Sequence, residues 1–207
     1  MLTILSARAS TLAAIDGYCE RAKYALSEHN YVAGESFKYL GKELRLKLLQ
    51  GKNSVAADGV YLYLAVPDVE NAGNKARQIA LWYDQQCRTL FPQLIEELYP
   101  VFRKYGVPSP GLILRDMSSR WGSCQPNRNM ITLNKKLIEA PRNCIEYVVM
   151  HEFLHFLHRN HSKKFYDLLS TLMPDWRERK NVLETATTQW QMLVKKKTVI
   201  GHRMFKN

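Results

Sequence analysis

The stretch His151-Glu152-Phe153-Leu154-His155-Phe156-Leu157-His158-Arg159-Asn160-His161 decides how this chain is read. Four of the six histidines lie within it. His151 and His155 are one helical turn apart, so on an α-helix their imidazoles stand one above the other and one ion reaches both. Glu152 is one position further round, too far to be a natural third ligand and well placed beside a water on that ion. Two helical imidazoles with an adjacent glutamate base are the zinc-hydrolase arrangement. Val148, Val149, Phe153, Leu154, Phe156 and Leu157 would equally suit a plain core helix. Burying imidazoles and a carboxylate there without partners is costly, however, and this favours a metal site.

A catalytic site of this kind takes three protein ligands and leaves the fourth position to water. His161 is the preferred third ligand. Arg159-Asn160 reads as a helix end, because Asn tolerates the left-handed cap conformation, and a turn there could bring His161 back under the helix. His158 shares the face of His151 if the helix runs on, as a rival ligand or a supporting group. Glu178 and Glu184 are later rivals.

Upstream of this helix, Pro141 to Asn143 introduces it, with Asn143 as the expected N-cap. Before that, Leu112 to Met117 and Met130 to Leu133 read as strands. The second could be a sheet edge that pairs with an extended peptide. Between them Ser118 to Asn129 is a loop of turn formers, and loops on a rigid scaffold often carry function. In it Arg120 is a candidate for stabilising an oxyanion, since its fork of donors suits an anion; a structural ion pair is the plain alternative. Trp121 suits a wall of the site, and Ser123 and, further on, Asn134 suit loop hydrogen-bonding or substrate contact.

Downstream, Ser162 is placed to cap a helix holding Phe165, Leu168, Leu169 and Leu172, and Pro174 ends it. Asp175 with Glu178 forms a capping-box-like start for a last helix reaching about Val194. At the other end of the chain, Leu12, Ile15, Cys19, Ala22 and Leu26 recur at helical spacing over Thr11 to Glu28. Glu35 to Leu40, Glu43 to Leu49 and Val60 to Val66 then read as strands. Gly41-Lys42, Gly51-Lys52-Asn53-Ser54 and Asp58-Gly59 are the turns between them, giving a small, twisted, antiparallel sheet. A long helical pattern after Gly73-Asn74 carries Ile79, Leu81, Trp82, Cys87, Leu90 and Phe91. Pro92 is expected to kink it or to start a second helix through Phe102.

The whole chain bounds these readings. At 207 residues it fits one domain with an elaboration, and 46% hydrophobic with 24% charged residues is ordinary for a globular protein. Nothing approaches the roughly 18 apolar residues of a membrane span. Met1 to Ser10 lacks the basic region and long apolar run of a secretory signal. Cys19, Cys87, Cys124 and Cys144 form no C-x-x-C pair, which fits reduced thiols in the cytoplasm. A net charge of +11 favours polyanions, through nucleic acid, nucleotides or acidic protein. The densest basic run, Lys195-Lys196-Lys197, lies near the end and is read as solvated.

Three blocks in fixed order resemble the YgjP-like metallopeptidases, relatives of the SprT-type proteases. They are Arg120-Trp121-Gly122-Ser123-Cys124; Ile131-Thr132-Leu133-Asn134 with Leu137 and Pro141; and Tyr147 to His155 with Asn160-His161-Ser162 and Phe165-Tyr166. Phe153 stands where the family usually has Leu, and Asn129 near where it has Gly. The resemblance implies a zincin-like fold with His151, His155 and His161 holding one Zn2+ and Glu152 as the base. The expected fold class is thus α+β, a small twisted antiparallel sheet packed with a zincin-like helical part. The expected organisation is an N-terminal helical arm over residues 1–30, a metallopeptidase domain over 31–200 (β-rich over 31–70, helical over 71–200) and a basic tail over 201–207.

The expected function is hydrolysis of peptide bonds in a protein or peptide substrate. The alternatives are a metal-dependent nucleotide phosphoanhydride hydrolase, motivated by the basic charge, and a catalytically idle nucleic-acid-binding module. No membrane partner is expected.

Overall fold

The computed structural model describes residues 29–117 and 120–185. The expected helix over Thr11 to Glu28, the Lys195–Lys197 run and the far end of the last helix lie outside these residues. The chain divides into two compact units, residues 1–88 and 89–207.

The described part of the first unit holds β1 (Ser36–Tyr39), β2 (Lys42–Gln50), β3 (Ser54–Ala57) and β4 (Tyr61–Val66), in the order β1-β2-β4-β3. Leu44 and Leu46 of β2 and Leu62, Leu64 and Val66 of β4 alternate inward. With Phe37, Tyr31 and the helical residues Ala76 and Ile79 they make this unit's core. Each of the Leu, Val, Ile and Phe side chains among them is worth about 1.5–3 kcal/mol when buried. Leu40 and Gly41 both have positive φ, 47° and 79°, which a two-residue type I′ hairpin between β1 and β2 requires. Asp58 takes the N–H groups of Val60 and Tyr61 and the Tyr63 hydroxyl, at 2.9, 2.7 and 2.8 Å. Those bonds hold its carboxyl down at about 2 and fix the turn into β4.

Helix α1 (Ala72–Arg103) is one element through Pro92 and Pro100, although Pro92 is expected to kink it or to start a second helix. An interior proline costs about 3 kcal/mol. Burial of Phe91, Leu94, Ile95 and Phe102, at about 1.5–3 kcal/mol each, outweighs it.

The second unit holds β5 (Gly111–Arg115), β6 (Gly122–Gln125) and β7 (Met130–Asn134) in the order β5-β7-β6, then α2 (Arg142–Leu157) and α3 (Lys163–Leu172). Residues 176–185 form a further helix, α4. Helix α2 is buried on nearly all sides, through Cys144, Ile145, Val148, Val149, Met150, Phe153 and Leu154. It packs on β6, β7 and α3. Phe153 is fully buried and stacks on Phe102, with ring centres 4.6 Å apart. Arg179 of α4 ties down α2 by reaching Glu146 and the Asn143 carbonyl, both at 3.0 Å.

The α+β class is as expected, but neither sheet is purely antiparallel. β2 and β4 run parallel, as do β5 and β7. The cause is the same in both sheets. The sequence offers no strand at β3, between the turns at residues 51–54 and 58–59, and a loop at β6, yet each adds one more reversal of the chain, so the next strand enters parallel to the previous one. β7 is consequently the central strand, not an edge, and β5 and β6 are the two edges. The expected N-cap also moves: α2 starts two residues earlier, with Pro141 rather than Asn143 at the cap position. Ser162 does stand at the N-cap of α3, although its side chain makes no capping bond. Asn129, near the family's usual glycine, is left-handed at φ 51° and ψ 48°, a conformation Asn tolerates better than most residues. Among the described residues no helix is long and apolar enough to cross a membrane.

Candidate metal centre

Helix α2 places His151 and His155 on one face, as the spacing requires. The helix then stops at Leu157, and His158 leaves it in an extended conformation, φ −133° and ψ 102°. The left-handed cap expected at Asn160 is absent, since no positive φ occurs there. The extended exit turns the chain nonetheless and returns His161 to the imidazole pair. Nε2 of His151 lies 3.2 Å from Nε2 of His155 and 2.9 Å from Nε2 of His161. Among the described residues, this trio is the one His, Cys, Asp or Glu cluster with ligand atoms within 4.8 Å of one another. His158, Glu178 and Glu184 are not in it.

The donor set fits a divalent ion such as zinc. Two nitrogens bound to one ion at about 2.0–2.1 Å in tetrahedral geometry stand about 3.3 Å apart, close to the spacings found. Ligating imidazoles must be neutral. Burial, with His155 and His161 beside it, lowers His151 to about 3. His155 is likewise lowered, chiefly by burial. Its Nδ1 lies 3.1 Å from the His158 carbonyl. With the proton assigned to Nδ1, that nitrogen donates to the carbonyl and the Nε2 lone pair faces the other two rings. His158 therefore supports the centre through its backbone. His151 Nδ1 is buried with no hydrogen-bond partner.

Phe165, fully buried on α3, is the floor under all three rings. Its ring centre is 5.0, 5.1 and 4.8 Å from those of His151, His155 and His161. The sequence places Phe165 in an apolar stripe but gives no sign of this contact. Phe165→Leu keeps the site apolar and removes the flat support. Loss of such orienting neighbours weakens metal binding by about 10–100-fold. We expect the lower end of that range in a competition titration against a chromophoric chelator, with the fold retained.

Glu152 is 5% exposed. Burial raises its carboxyl to about 8, against a smaller opposing pull from Arg120. It lies against the backbone of Gly122 in β6: a Cβ at Gly122 would fall 2.7 Å from Oε1 and 2.9 Å from Cγ. This contact was also missed, although a glycine inside a strand often marks a close approach. Cys124, further along β6, is pushed up to about 12 by burial and by Glu152, so it remains a thiol.

The three imidazoles and Glu152 line a cavity of about 660 Å³ whose other walls include Arg120, Gly122, Ser123, Cys124, Gln125, Arg128 and Arg159. Of the residues expected at the site, Arg120 and Ser123 face this cavity and Trp121 and Asn134 do not. Asn134 is buried and organises the loop. Its Nδ2 donates to the carbonyls of Met117 and Arg120 at 2.8 and 3.0 Å, and its Oδ1 accepts from the Lys136 N–H at 3.1 Å. Its amide is thus engaged by the backbone of the loop.

A family model described as "YgjP-like, metallopeptidase domain" matches residues 8–186. No curated protein matches the sequence. Two solved structures similar to parts of the chain are metallopeptidase zymogens. Jannalysin of Methanocaldococcus jannaschii is 19% identical, with a TM-score of 0.41, covering 46% of this chain and 94% of that one. Abylysin of Pyrococcus abyssi is 20% identical, with a TM-score of 0.41, covering 48% and 94%.

Proposed function

The chain belongs to the YgjP-like metallopeptidase family, and on that premise we propose that it is a zinc-dependent peptidase with His151, His155 and His161 as ligands and Glu152 as general base. The observation that carries the reading is the convergence of three Nε2 atoms in one cavity with a buried carboxylate. When bound, the ion supplies Lewis acidity, acidifying water and polarising a carbonyl. Glu152 takes the water's proton on a carboxylate oxygen and hands it to the leaving amine nitrogen. Its buried position shields that proton from bulk water. β6 is an edge strand whose four residues all line the cavity. An extended peptide adding to that edge would be held by main-chain bonds beside Glu152. Arg120, exposed on the same cavity, is suited to a developing negative charge.

A second reading keeps the metal and changes the substrate to a nucleoside triphosphate, favoured by Arg120, Arg128 and Arg159 on the cavity wall. Metal-loaded and chelated protein, assayed on unstructured protein and on nucleoside triphosphates, separates the two. The peptidase reading expects proteolysis that chelator abolishes and added zinc restores. Triphosphate hydrolysis without proteolysis would replace it.

A further inference from the structure

The candidate centre is ringed by more cations than the carboxylate beside it can neutralise. Arg120 precedes β6, Arg128 closes the short turn after it, and Arg159 follows α2; all three are exposed and line the cavity. Two other arginines of this unit are paired, Arg142 with Glu97 and Glu146, and Arg179 with Asp175 and Glu146. Among the described residues none of the three cavity arginines has an ion-pair partner. Arg159 is steadied instead by a neutral neighbour, donating to Asn127 Oδ1 at 3.3 Å. Among the described residues Glu152 is the lining's one carboxylate, so at most one negative charge stands against three arginines and the wall is net positive with the histidines neutral. A divalent ion would add to that field, and a concave site concentrates it.

Resting on the peptidase reading, we propose that the substrate is an acidic peptide segment with Asp or Glu on both sides of the bond that is cut. Geometry supplies the two-sidedness. β6 is about 13 Å long at roughly 3.3 Å per residue. Arg120 lies beyond one end of it and Arg128 beyond the other. A segment laid along that edge carries its side chains past both guanidinium groups, whose planar forks match carboxylates. A Lys- or Arg-flanked segment meets like charge at both ends. Among the described residues the lining contains no Phe, Tyr or Trp, and so offers none of the aromatic stacking that seats nucleobases. The charge is therefore better matched by acidic side chains than by nucleotides.

The test uses matched fluorogenic peptides that differ only in carrying Glu, Gln or Lys on either side of one central apolar pair. The metal-loaded full chain is compared with an Arg128→Glu/Arg159→Glu variant and a milder Arg128→Gln/Arg159→Gln variant. Zinc content and unfolding midpoint are checked for each. Exposed charge pairs are individually modest, so kcat/KM for the Glu peptide should exceed that for the Gln peptide about tenfold. The preference should shrink with added salt. It should weaken in the Gln variant and invert towards Lys in the Glu variant. Cleavage of all three peptides at similar rates overturns this inference and leaves the peptidase reading intact. Cleavage of none, with triphosphates hydrolysed, overturns both.

Discussion

Glu152→Gln is expected to leave the zinc content unchanged and to lower kcat by about 10²–10⁴, the usual contribution of a positioned general base. Gln is isosteric, so the contact with Gly122 survives while the proton acceptor is lost. Near-full activity in this variant, with zinc bound, would remove Glu152 from the mechanism.

The same variant has a pH signature once chelator has removed the metal. Burial raises the Glu152 carboxyl from 4.5 to about 8 in the folded chain. A carboxyl with a raised folded-state pKa favours folding most while it is protonated. Its contribution is whole below about pH 4.5 and fades as the pH climbs to about 8. Gln carries no such proton. The metal-free variant should therefore gain stability relative to metal-free wild type across that window, read as a growing difference in unfolding midpoint. A constant difference from pH 5 to 8 would mean the buried carboxyl ionises at its ordinary value. With zinc bound, the nearby positive charge favours the carboxylate and this signature should largely vanish.

Gly122→Ala is the second large effect. Gly122 has no positive φ, so alanine suits its backbone and the penalty is local. The new methyl would stand 2.7 Å from Oε1 and 3.0 Å from Cδ of Glu152, too close to coexist without movement. The carboxylate must swing away by a few tenths of an ångström or more, within a site where about 1 Å of misplacement costs on the order of 100-fold. We expect kcat to fall by roughly that factor, with the zinc content held and KM little changed. Ser123→Ala, one residue along the same strand, should have a far smaller effect. Equal losses in the two variants would assign the damage to β6 as a whole.

The imidazole pair was legible because helical periodicity is local: His151 and His155 meet wherever α2 forms. Return of His161 was legible in outcome but not in means. A turn was expected from the tolerance of Asn160 for left-handed backbone, whereas the chain leaves in extended form at His158. β3 and β6 were not legible. Ser54-Val55-Ala56-Ala57 and Gly122-Ser123-Cys124-Gln125 have little intrinsic strand preference, and the longer neighbours β4 and β7 supply their pairing. The contacts of Phe165 with the three rings and of Gly122 with Glu152 are tertiary, and no spacing rule encodes them. Asn134 was legible as a loop hydrogen-bonder, but its backbone partners at Met117, Arg120 and Lys136 are visible only in the fold. Pro92 misled because its local penalty is visible in the sequence and the burial that outweighs it is not.

His155 donates to a main-chain oxygen, the carbonyl of residue 158, and this divides the evolutionary freedom of that position. Its side chain can drift, since any amino acid carries the same carbonyl. The number of residues between His155 and His161 cannot. Losing or gaining one would rotate the acceptor out of line and carry the third imidazole off its mark, so related sequences should vary in letter at 158 and hold their length across this interval.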